Sequence, residues 1–427
     1  MPVPLLLRGD PGAPSRWPLM NFADCFRLPR SRGELVYALT VAGLIAGMLL
    51  CLPLWKTERD FPHLPLWAWC PPLPAPADAV LLWGTLLVAA ASVFSPRLTW
   101  TAVAGCLLMA VQDQVRWQPW YFQYVLLLVL AALVKDRRGD AWLLVCRVVM
   151  VGLYAWSGLH KLTPAYANMY ESTFTVPLST QWPAWAAALV RGTAGAGPWL
   201  EMAMAAALCF RRTRRAGAVM AAAAHLWIMA LIGPLGLNYN PVVWPWNGIM
   251  AAVVLVLFWR APVFGWKSLN GAAPYAAASL AVLLCGVMPA LSIWEKWDRY
   301  LSFHLYSGSE RRIVVILDAA AVAAMPPGWR AQVTASGSPE APDAKELRFH
   351  EWALRELGVP VPADERHLLT LARRCATMDF ALRGQVLFYT DFALLVKERG
   401  FGIFTAQQIR EMRHIPAHQA WSNAPGR

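Results

Sequence analysis

Nine long apolar segments most strongly limit what this chain can fold into. Several of them reach the roughly 18 to 20 residues that a helix needs to cross a bilayer. Only 15% of the 427 residues are charged, whereas about a quarter are charged in a typical soluble domain. The sequence therefore predicts an all-α polytopic membrane bundle of about nine transmembrane helices. The segments are 35–54, 78–95, 98–112, 120–135, 141–160, 192–210, 216–233, 246–260 and 272–293.

One further apolar stretch, 183–190, is too short to cross a bilayer, so we expect it to lie at the membrane interface. The start of the chain, 1–18, has only a few consecutive apolar residues and no basic residues ahead of them. This pattern is not typical of a cleaved signal peptide, so the first segment is expected to remain as an anchor.

Basic residues predict the orientation, because cytoplasmic loops carry an excess of lysine and arginine. They cluster before the first segment and after the second, fourth, sixth and eighth, which share one side if nine segments cross. The prediction is a multi-pass protein of a bacterial inner (cytoplasmic) membrane, with a cytoplasmic N-terminal segment (1–34) and a transmembrane domain (35–293). The net charge of +12 then reflects topology, and no nucleic-acid partner is expected. The clusters include Arg30, Arg32, Arg97, Lys135, Arg137, Arg138, Arg211, Arg212, Arg214, Arg215, Arg260 and Lys267.

The tail, 294–427, reads as an extracytoplasmic α+β domain on the periplasmic or extracellular side. Residues 311–317 (RRIVVIL) and 384–390 (GQVLFYT) have the composition of strands. Residues 347–357 and 363–378 have helical spacing, and the second stretch opens with acidic residues, as helices commonly do.

The eight cysteines are scattered and form neither a CxxC motif nor a cluster with histidine. Zinc, iron–sulfur and thioredoxin-like sites need closer ligand spacing. We therefore expect the cysteines to be small packing residues and predict no metal site.

Ionisable side chains inside apolar segments are costly, so each is a candidate functional group. Four stand out: Arg147, Lys161, Glu201 and His225. Depths counted along each helix place Arg147 and Glu201 at similar levels, which predicts a structural ion pair between them. The alternative for Glu201 is a proton acceptor in a relay.

Residues seven apart drift only about 20° around a helix, so Arg147, Tyr154 and Lys161 share one face. Three charged or polar residues there predict that the face points into the bundle. Two alternatives remain open for Lys161: a residue in the mouth of an internal cavity, or a lysine whose amine reaches the headgroup region. His225 is either an interhelical hydrogen-bond donor or a ligand contact. The asparagine-rich loop 233–247 is expected to close a cavity.

Several motifs, in this order, resemble the vitamin K-dependent γ-carboxylase-like group, also called the HTTM membrane domain. SGLHKL (157–162) is similar to that group's Gly-x-x-Lys-Leu, and DQVRWQPWYFQY (113–124) to its acidic residue followed four places later by Trp117. Glu201, His225, VWPWN (243–247) and LSFHLYSGSE (301–310) follow in the expected order. The resemblance covers about residues 95–310.

The resemblance implies a chemistry. In these carboxylases the motif lysine is the base that deprotonates a reduced naphthoquinone, and reaction with oxygen then gives an epoxide and a strong base for glutamate carboxylation. That lysine corresponds to Lys161, and burial in an apolar cavity favours the neutral amine that a base requires. The implied cofactor is a reduced quinone, menaquinone or vitamin K hydroquinone, with no metal. The catalytic candidates are Lys161, His160, His225 and Glu201, and the quinone-binding candidates are Trp117, Trp120, Tyr154, Asn240, Trp246 and Asn247.

The sequence departs from the group at one position. Its members have a functional histidine three residues after the motif tryptophan, where this chain has Trp120, and the imidazole of His160 is the substitute considered. Two functions therefore stay open. One is a quinol-dependent carboxylase or epoxidase, a lyase or oxidoreductase. The other is a non-catalytic, redox-associated membrane scaffold whose outer domain binds a peptide or protein partner.

Overall fold

The computed structural model describes residues 29–260, 265–308, 311–335, 344–378, 385–390, 400–413 and 419–420. Most of the predicted cytoplasmic segment 1–34 therefore lies outside the described residues. Within the described ones the chain is mostly helical, with strands confined to the part after residue 310.

The first ten helices run from residue 32 to residue 232. They are α1 (Arg32–Leu50), α2 (Leu52–Trp55), α3 (Ala77–Ser92), α4 (Thr99–Gln112), α5 (Pro119–Val134), α6 (Asp140–His160), α7 (Pro164–Tyr170), α8 (Val176–Ser179), α9 (Ala184–Cys209) and α10 (Arg214–Ile232).

Three more helices complete the apolar part: α11 (Val243–Phe258), α12 (Ala272–Val282) and α13 (Met288–Leu291). A π-helical turn, Leu283–Val287, joins α12 to α13. Each of the nine predicted segments therefore coincides with a helix or, for the last, with a nearly continuous helical run.

Among the described residues, four helical segments are long and apolar enough to cross a membrane: Arg32–Leu50, Asp140–His160, Arg214–Ile232 and Ala272–Trp294. Ala77–Ser92, Pro119–Val134 and Val243–Phe258 are apolar but shorter. Helices of 14 to 16 residues span about 21 to 24 Å at 1.5 Å per residue, less than the hydrocarbon thickness of about 30 Å. These dimensions support a membrane protein, whereas the count of nine crossings stays a prediction.

The prediction of a separate interfacial piece at 183–190 was wrong. These residues form the first turns of α9, a continuous helix of 26 residues with Pro198 inside it. Gly192, Gly195 and Gly197 lie inside this helix, although glycine weakens a helix interior.

After residue 310 the described chain contains a sheet and five helices. The sheet is antiparallel with the order β2-β3-β1-β4-β5-β6. Its strands are β1 (Arg311–Leu317), β2 (Thr334–Ala335), β3 (Lys345–Arg348), β4 (Gln385–Thr390), β5 (Gly400–Thr405) and β6 (Gln419–Ala420). The helices are α14 (Ala319–Ala324), α15 (Pro327–Arg330), α16 (Phe349–Leu357), α17 (Glu365–Ala376) and α18 (Ala406–Glu411). The expected strands β1 and β4 and the expected helices α16 and α17 are all present.

Strand pairing defines the sheet, and buried aromatic side chains connect its helices to the helical part of the chain. Val314 of β1 faces Arg348 of β3 on one side and Leu387 of β4 on the other, so β1 is an interior strand. Phe349 and Trp352 of α16 are fully buried. Their rings pack against Phe61 from the loop after α2, at 6.1 and 5.1 Å between centroids. The C-terminal part thus shares a core with the loops of the helical part.

Basic side chains lie at the start of α1, and the C-terminal part packs at its other end. At the start of α1, Arg32 donates to the carbonyl oxygens of Val256 and Trp259, at 2.8 and 2.9 Å. Arg138 donates to Glu34 at 2.5 Å in the same region. At the opposite end of α1, a Cβ added at Gly358 would contact Cys51 at 3.5 Å, which places α16 there. Arg32 and Arg138, two of the basic residues predicted to share one side, therefore lie at one end of α1, and α16 packs at the other.

Candidate functional site

The centre of the candidate site depends on a close approach of α6 to α9. A Cβ added at Gly158 of α6 would lie 2.7 Å from the carbonyl oxygen of Pro198 and 3.0 Å from the Cβ of Glu201. Separations under 3.0 Å do not occur for real Cβ atoms, so only glycine permits this contact. It brings Glu201 to the level of the end of α6, where Lys161 lies.

Lys161 and Glu201 form a buried ion pair. Lys161 Nζ donates to Glu201 Oε1 at 2.6 Å and to Ser157 Oγ at 2.8 Å. The two side chains are 10% and 17% exposed. Among the described residues no partner hydrogen-bonds Glu201 Oε2. The pair therefore retains one acceptor oxygen for a ligand or a water molecule.

A second set of polar groups lies next to this pair. His225 of α10 contacts Tyr154 Oη through Nε2 at 2.8 Å and Asn247 Oδ1 through Nδ1 at 2.7 Å. Asn247 donates from Nδ2 to the carbonyl oxygen of Val243 at 2.8 Å, which fixes the orientation of its amide. With Asn247 Oδ1 as acceptor, Nδ1 of His225 carries the proton and Nε2 accepts from Tyr154. The chain of bonds thus sets one tautomer of His225.

Both sets line a small cavity of about 70 Å³. Tyr154, Lys161, Glu201, His225 and Asn247 supply its polar wall. The apolar wall comes from Leu153, Met204, Ala224, Ile228, Val243, Trp246 and Leu305, together with the ring of Tyr306. The volume suits a few waters or part of a ligand. A complete drug-sized ligand needs about 300 Å³ or more.

A second, larger cavity of about 220 Å³ lies between the helices and the C-terminal part. Trp120, Tyr239 and Asn240 line it on the helical side, and Arg312 and His350 on the other. The two cavities share four lining residues, which therefore form the wall between them: Val243, Trp246, Leu305 and Tyr306.

The wall between the cavities is held by hydrogen bonds. Trp246 Nε1 donates to Gln123 Oε1 at 2.8 Å. Asn240 Nδ2 donates to Tyr306 Oη at 3.0 Å, and among the described residues nothing hydrogen-bonds Asn240 Oδ1. Trp120 is 2% exposed and packs edge-to-face on Tyr121. Aromatic faces and one unpaired acceptor thus border the larger cavity.

The structure brings most of the sequence candidates together. Tyr154, Lys161, Glu201, His225 and Asn247 line the small cavity, Trp120 and Asn240 the larger one, and Trp246 both. The buried face predicted from the spacing of Arg147, Tyr154 and Lys161 is confirmed, since these residues are 9%, 3% and 8% exposed.

The predicted ion pair between Arg147 and Glu201 was wrong. Arg147 donates from Nε and an Nη atom to the carbonyl oxygen of Leu257 on α11, at 3.0 and 2.6 Å. Glu201 is level with Gly158, which is eleven residues or about 16 Å farther along α6. Depth counted separately on each helix missed the axial offset between α6 and α9.

His160 does not reach either cavity. Its Nε2 lies 3.3 Å from Ser292 Oγ, and its ring stacks on His304 with 4.5 Å between centroids. Successive residues of a helix point about 100° apart, so His160 and Lys161 cannot face the same space. His160 therefore lies outside the cavity that Lys161 borders, and its supporting role stays a prediction.

Trp117 also lies outside both cavities. Its Nε1 donates to the carbonyl oxygen of Ala110 at 2.8 Å, and its ring lies against His367, 5.9 Å between centroids. The guanidinium of Arg366 stacks over the same ring at 4.7 Å. Trp117 therefore joins the helical part to α17 and is not in a position to bind a quinone.

Asp113, the acidic residue of the same motif, is fully buried and has a structural role. It pairs with Arg59, and His63 Nδ1 lies 3.4 Å from its Oδ2. It also accepts from the backbone N–H of Val115 at 3.1 Å. Burial alone raises the pKa of this carboxyl, but Arg59 and His63 outweigh it and hold the pKa well below its usual range.

Sequence reasoning missed three residues at the site. Ser157 lies one helical turn before Lys161, so its position in SGLHKL could have indicated the contact. Gln123 and Tyr306 lie within the quoted stretches 113–124 and 301–310, but their contacts could not be read from those stretches because they depend on how distant segments pack.

Searches of protein-family models, of curated proteins and of solved structures find no match to this chain. The likeness to the carboxylase-like group therefore rests on the quoted motifs, and the geometry described above is the main evidence about function.

Proposed function

We propose that this chain is an integral membrane protein in which Lys161 and Glu201 form an acid–base centre that acts on a reduced quinone. The buried Lys161–Glu201 pair, with Oε2 of Glu201 left unpaired beside a polar cavity, is the observation that carries the proposal. The resemblance of SGLHKL to the carboxylase-like motif supports the same lysine as base.

Glu201 changes how Lys161 would serve as a base. In the charged pair the lysine is an ammonium group and cannot accept a proton. We propose that Lys161 passes a proton to Glu201 when the hydroquinone binds, which leaves a neutral amine beside a neutral acid. The amine then accepts the hydroxyl proton of the bound hydroquinone, as the O–H bond breaks and an N–H bond forms. Glu201 thus replaces burial alone as the group that activates Lys161.

Tyr154, His225 and Asn247 would orient the substrate oxygen and conduct protons. Tyr154 Oη and His225 Nε2 are already joined at 2.8 Å. The Tyr154 hydroxyl donates to His225, so its oxygen is left to accept a hydrogen bond from a substrate hydroxyl. Removing this acceptor should therefore weaken the orientation of the substrate.

The aromatic surroundings suit a flat ring. Trp120, Trp246 and Tyr306 border the larger cavity, and planar apolar rings pack favourably on such faces. Asn240 Oδ1 is an unpaired acceptor for one hydroxyl group of a hydroquinone, and the other hydroxyl would lie at the Lys161–Glu201 pair. Both cavities are smaller than the about 300 Å³ or more of a typical ligand pocket, so we expect binding of a quinone to move the wall that includes Tyr306.

We further propose that the chain crosses a bacterial inner membrane nine times, with its N-terminus in the cytoplasm and the C-terminal part outside. Arg32 and Arg138 bind their partners at one end of the bundle, opposite the sheet. Their position supports this orientation, because basic residues favour the cytoplasmic side. The site would then open near the outer surface.

The test is oxygen uptake by the purified protein in proteoliposomes supplied with reduced menaquinone, with mass spectrometry of the quinone product. We expect uptake and an epoxide product for the wild type, and a loss of at least about a hundredfold for Lys161→Ala and Glu201→Gln. Lys56→Ala, which removes an exposed lysine, is the matched control and should retain full activity.

Two results would count against this proposal. Uptake that survives in Lys161→Ala would remove the lysine from the mechanism. No uptake by folded wild type, together with no co-purified quinone, would favour the redox-associated scaffold whose outer part binds a protein partner.

A further inference from the structure

A buried cluster of three potential metal ligands lies where the last apolar helix meets the C-terminal part. Asp298 follows the helix by a few residues, Asp364 is the N-cap of α17, and His367 is in the first turn of that helix. One ligand atom from each lies within 4.8 Å of the others. The three groups come from two segments more than sixty residues apart.

Part of each carboxylate already has a partner. Asp364 accepts from the backbone N–H of Arg299 at 3.0 and 3.2 Å. Asp298 Oδ1 accepts from the backbone N–H of Leu301 at 3.0 Å. These bonds fix the two carboxylates in place and leave Asp298 Oδ2 directed at the cluster.

His367 supplies independent support for a ligand. Its side chain is 0% exposed, and among the described residues no group hydrogen-bonds its Nδ1. The closest acceptor, Asp364 Oδ2, is 4.0 Å away, which is too far for a hydrogen bond. Asp298 Oδ2 is also buried without a hydrogen bond. A buried polar atom in this state costs about 1–3 kcal/mol unless something fills the gap.

The basic side chains near the cluster do not fully neutralise the two carboxylates. Arg366 reaches Asp298 Oδ2 only at 3.7 Å and donates to His367 Nε2 at 3.4 Å, and its side chain is half exposed and stacked over Trp117. Binding of an ion at His367 Nδ1 therefore requires this guanidinium to leave Nε2, which then carries the imidazole proton. The guanidinium of Arg299 pairs with Glu295 at 3.2 Å. Two facing buried carboxylates are stable when a proton or a cation lies between them.

We propose that Asp298, Asp364 and His367 bind a divalent first-row metal ion that ties α17 to the segment following the last apolar helix. One imidazole nitrogen and two carboxylate oxygens suit zinc or manganese. Ligand atoms around tetrahedral zinc are roughly 3.3 Å apart, so the side chains need to close in by up to about 1.5 Å.

The position of the site suggests a structural role. The ring of His367 lies against Trp117, which links the metal site to the helical part as well as to α17. A bound ion would therefore stabilise the junction between the two parts of the chain. The cysteine and histidine spacing that predicted no metal gives no information about this cluster, because two of its ligands are aspartates.

The experiment uses the full-length protein in detergent. Metal content is measured by elemental analysis after purification, followed by removal with EDTA and titration with Co²⁺ as an optical probe. We expect about one equivalent of metal per chain, visible Co²⁺ absorption bands on titration, and a fall in melting temperature with EDTA that Zn²⁺ reverses.

Two variants and a control locate the site. His367→Gln and Asp298→Asn should each weaken Co²⁺ binding by more than about tenfold. Glu58→Gln, which neutralises an exposed carboxylate elsewhere, should bind as the wild type does. If one variant fails to fold, the other variant and the wild-type titration still show whether the cluster binds the ion.

Wild type that contains no metal and shows no Co²⁺ bands would overturn the proposal and indicate that the two carboxylates share a proton. Binding that is equal in wild type and in both variants would do the same, because it would place the ion elsewhere. Neither result bears on quinone chemistry at Lys161.

Discussion

Lys161 Nζ lies 2.6 Å from Glu201 Oε1, across the close contact of α6 with α9. The pair joins two helices within an apolar region, and both side chains are mostly buried. Breaking such a pair by removing one partner leaves an uncompensated buried charge, which costs more than the pair itself contributes. The ion pair can therefore be tested by measuring protein stability as well as activity.

We predict that Glu201→Gln lowers the free energy of unfolding by roughly 3 kcal/mol, because it leaves the Lys161 ammonium without an anion. The double variant Lys161→Met with Glu201→Leu should recover most of this loss. Melting temperatures in detergent measure both effects. Equal stability of Glu201→Gln and wild type would show that the pair is not formed.

We predict that Gly158→Ala destabilises the protein, since its Cβ would lie 2.7 Å from the carbonyl oxygen of Pro198. Separation of α6 from α9 should also weaken the Lys161–Glu201 contact and reduce quinol oxidation. The matched control is Gly192→Ala in α9, where nothing lies within 4 Å of the added Cβ. That change should be neutral or stabilising by up to about 1 kcal/mol, because alanine favours a helix. If Gly192→Ala lowered stability more than Gly158→Ala does, the close packing of α6 against α9 at Gly158 would be contradicted.

We predict that Tyr154→Phe reduces stability by about 1–3 kcal/mol, because Nε2 of His225 loses its donor inside an apolar region. The measurement is again the melting temperature, with quinol oxidation as a second readout. Val151→Ala, on the same helix, is the comparison for a side-chain truncation outside the hydrogen-bond chain. Wild-type stability and rate for Tyr154→Phe would exclude a role for this chain of bonds.

Asp113 predicts a pH dependence of stability. Its pKa is lower in the folded protein than in the unfolded chain, so its contribution is present above the unfolded pKa, about 4. The contribution is lost as the pH falls below that value toward the folded pKa. The melting temperature of wild type should therefore fall between about pH 5 and pH 3, and the difference from Asp113→Asn should shrink over the same interval. If the difference in melting temperature between wild type and Asp113→Asn stayed constant across this range, the lowered pKa of Asp113 would be contradicted.

The candidate metal cluster shows why part of the site could not be read from the sequence. Asp298 and Asp364 are each ordinary in their local context: one follows a tryptophan-rich helix end, and the other caps a helix. Only the docking of α17 against the end of the helical part makes them neighbours. Similarly, Tyr306 becomes a wall of two cavities through packing with Asn240, 66 residues away.

The sequence by itself determined the local elements. Apolar runs placed the helices within a few residues, except that α9 begins eight residues before the predicted segment. Period-seven spacing placed Tyr154 and Lys161 on one buried face, and β-rich runs placed the strands β1 and β4. These properties depend on interactions among residues close together along the chain.

The tertiary structure decided which side chains meet. Glu201 pairs with Lys161 instead of Arg147 because α6 and α9 are offset along their axes, and His160 points to Ser292 because one residue turns a helix by about 100°. Axial offset and rotation between helices arise from packing of distant segments, for which a single sequence has no periodic signal.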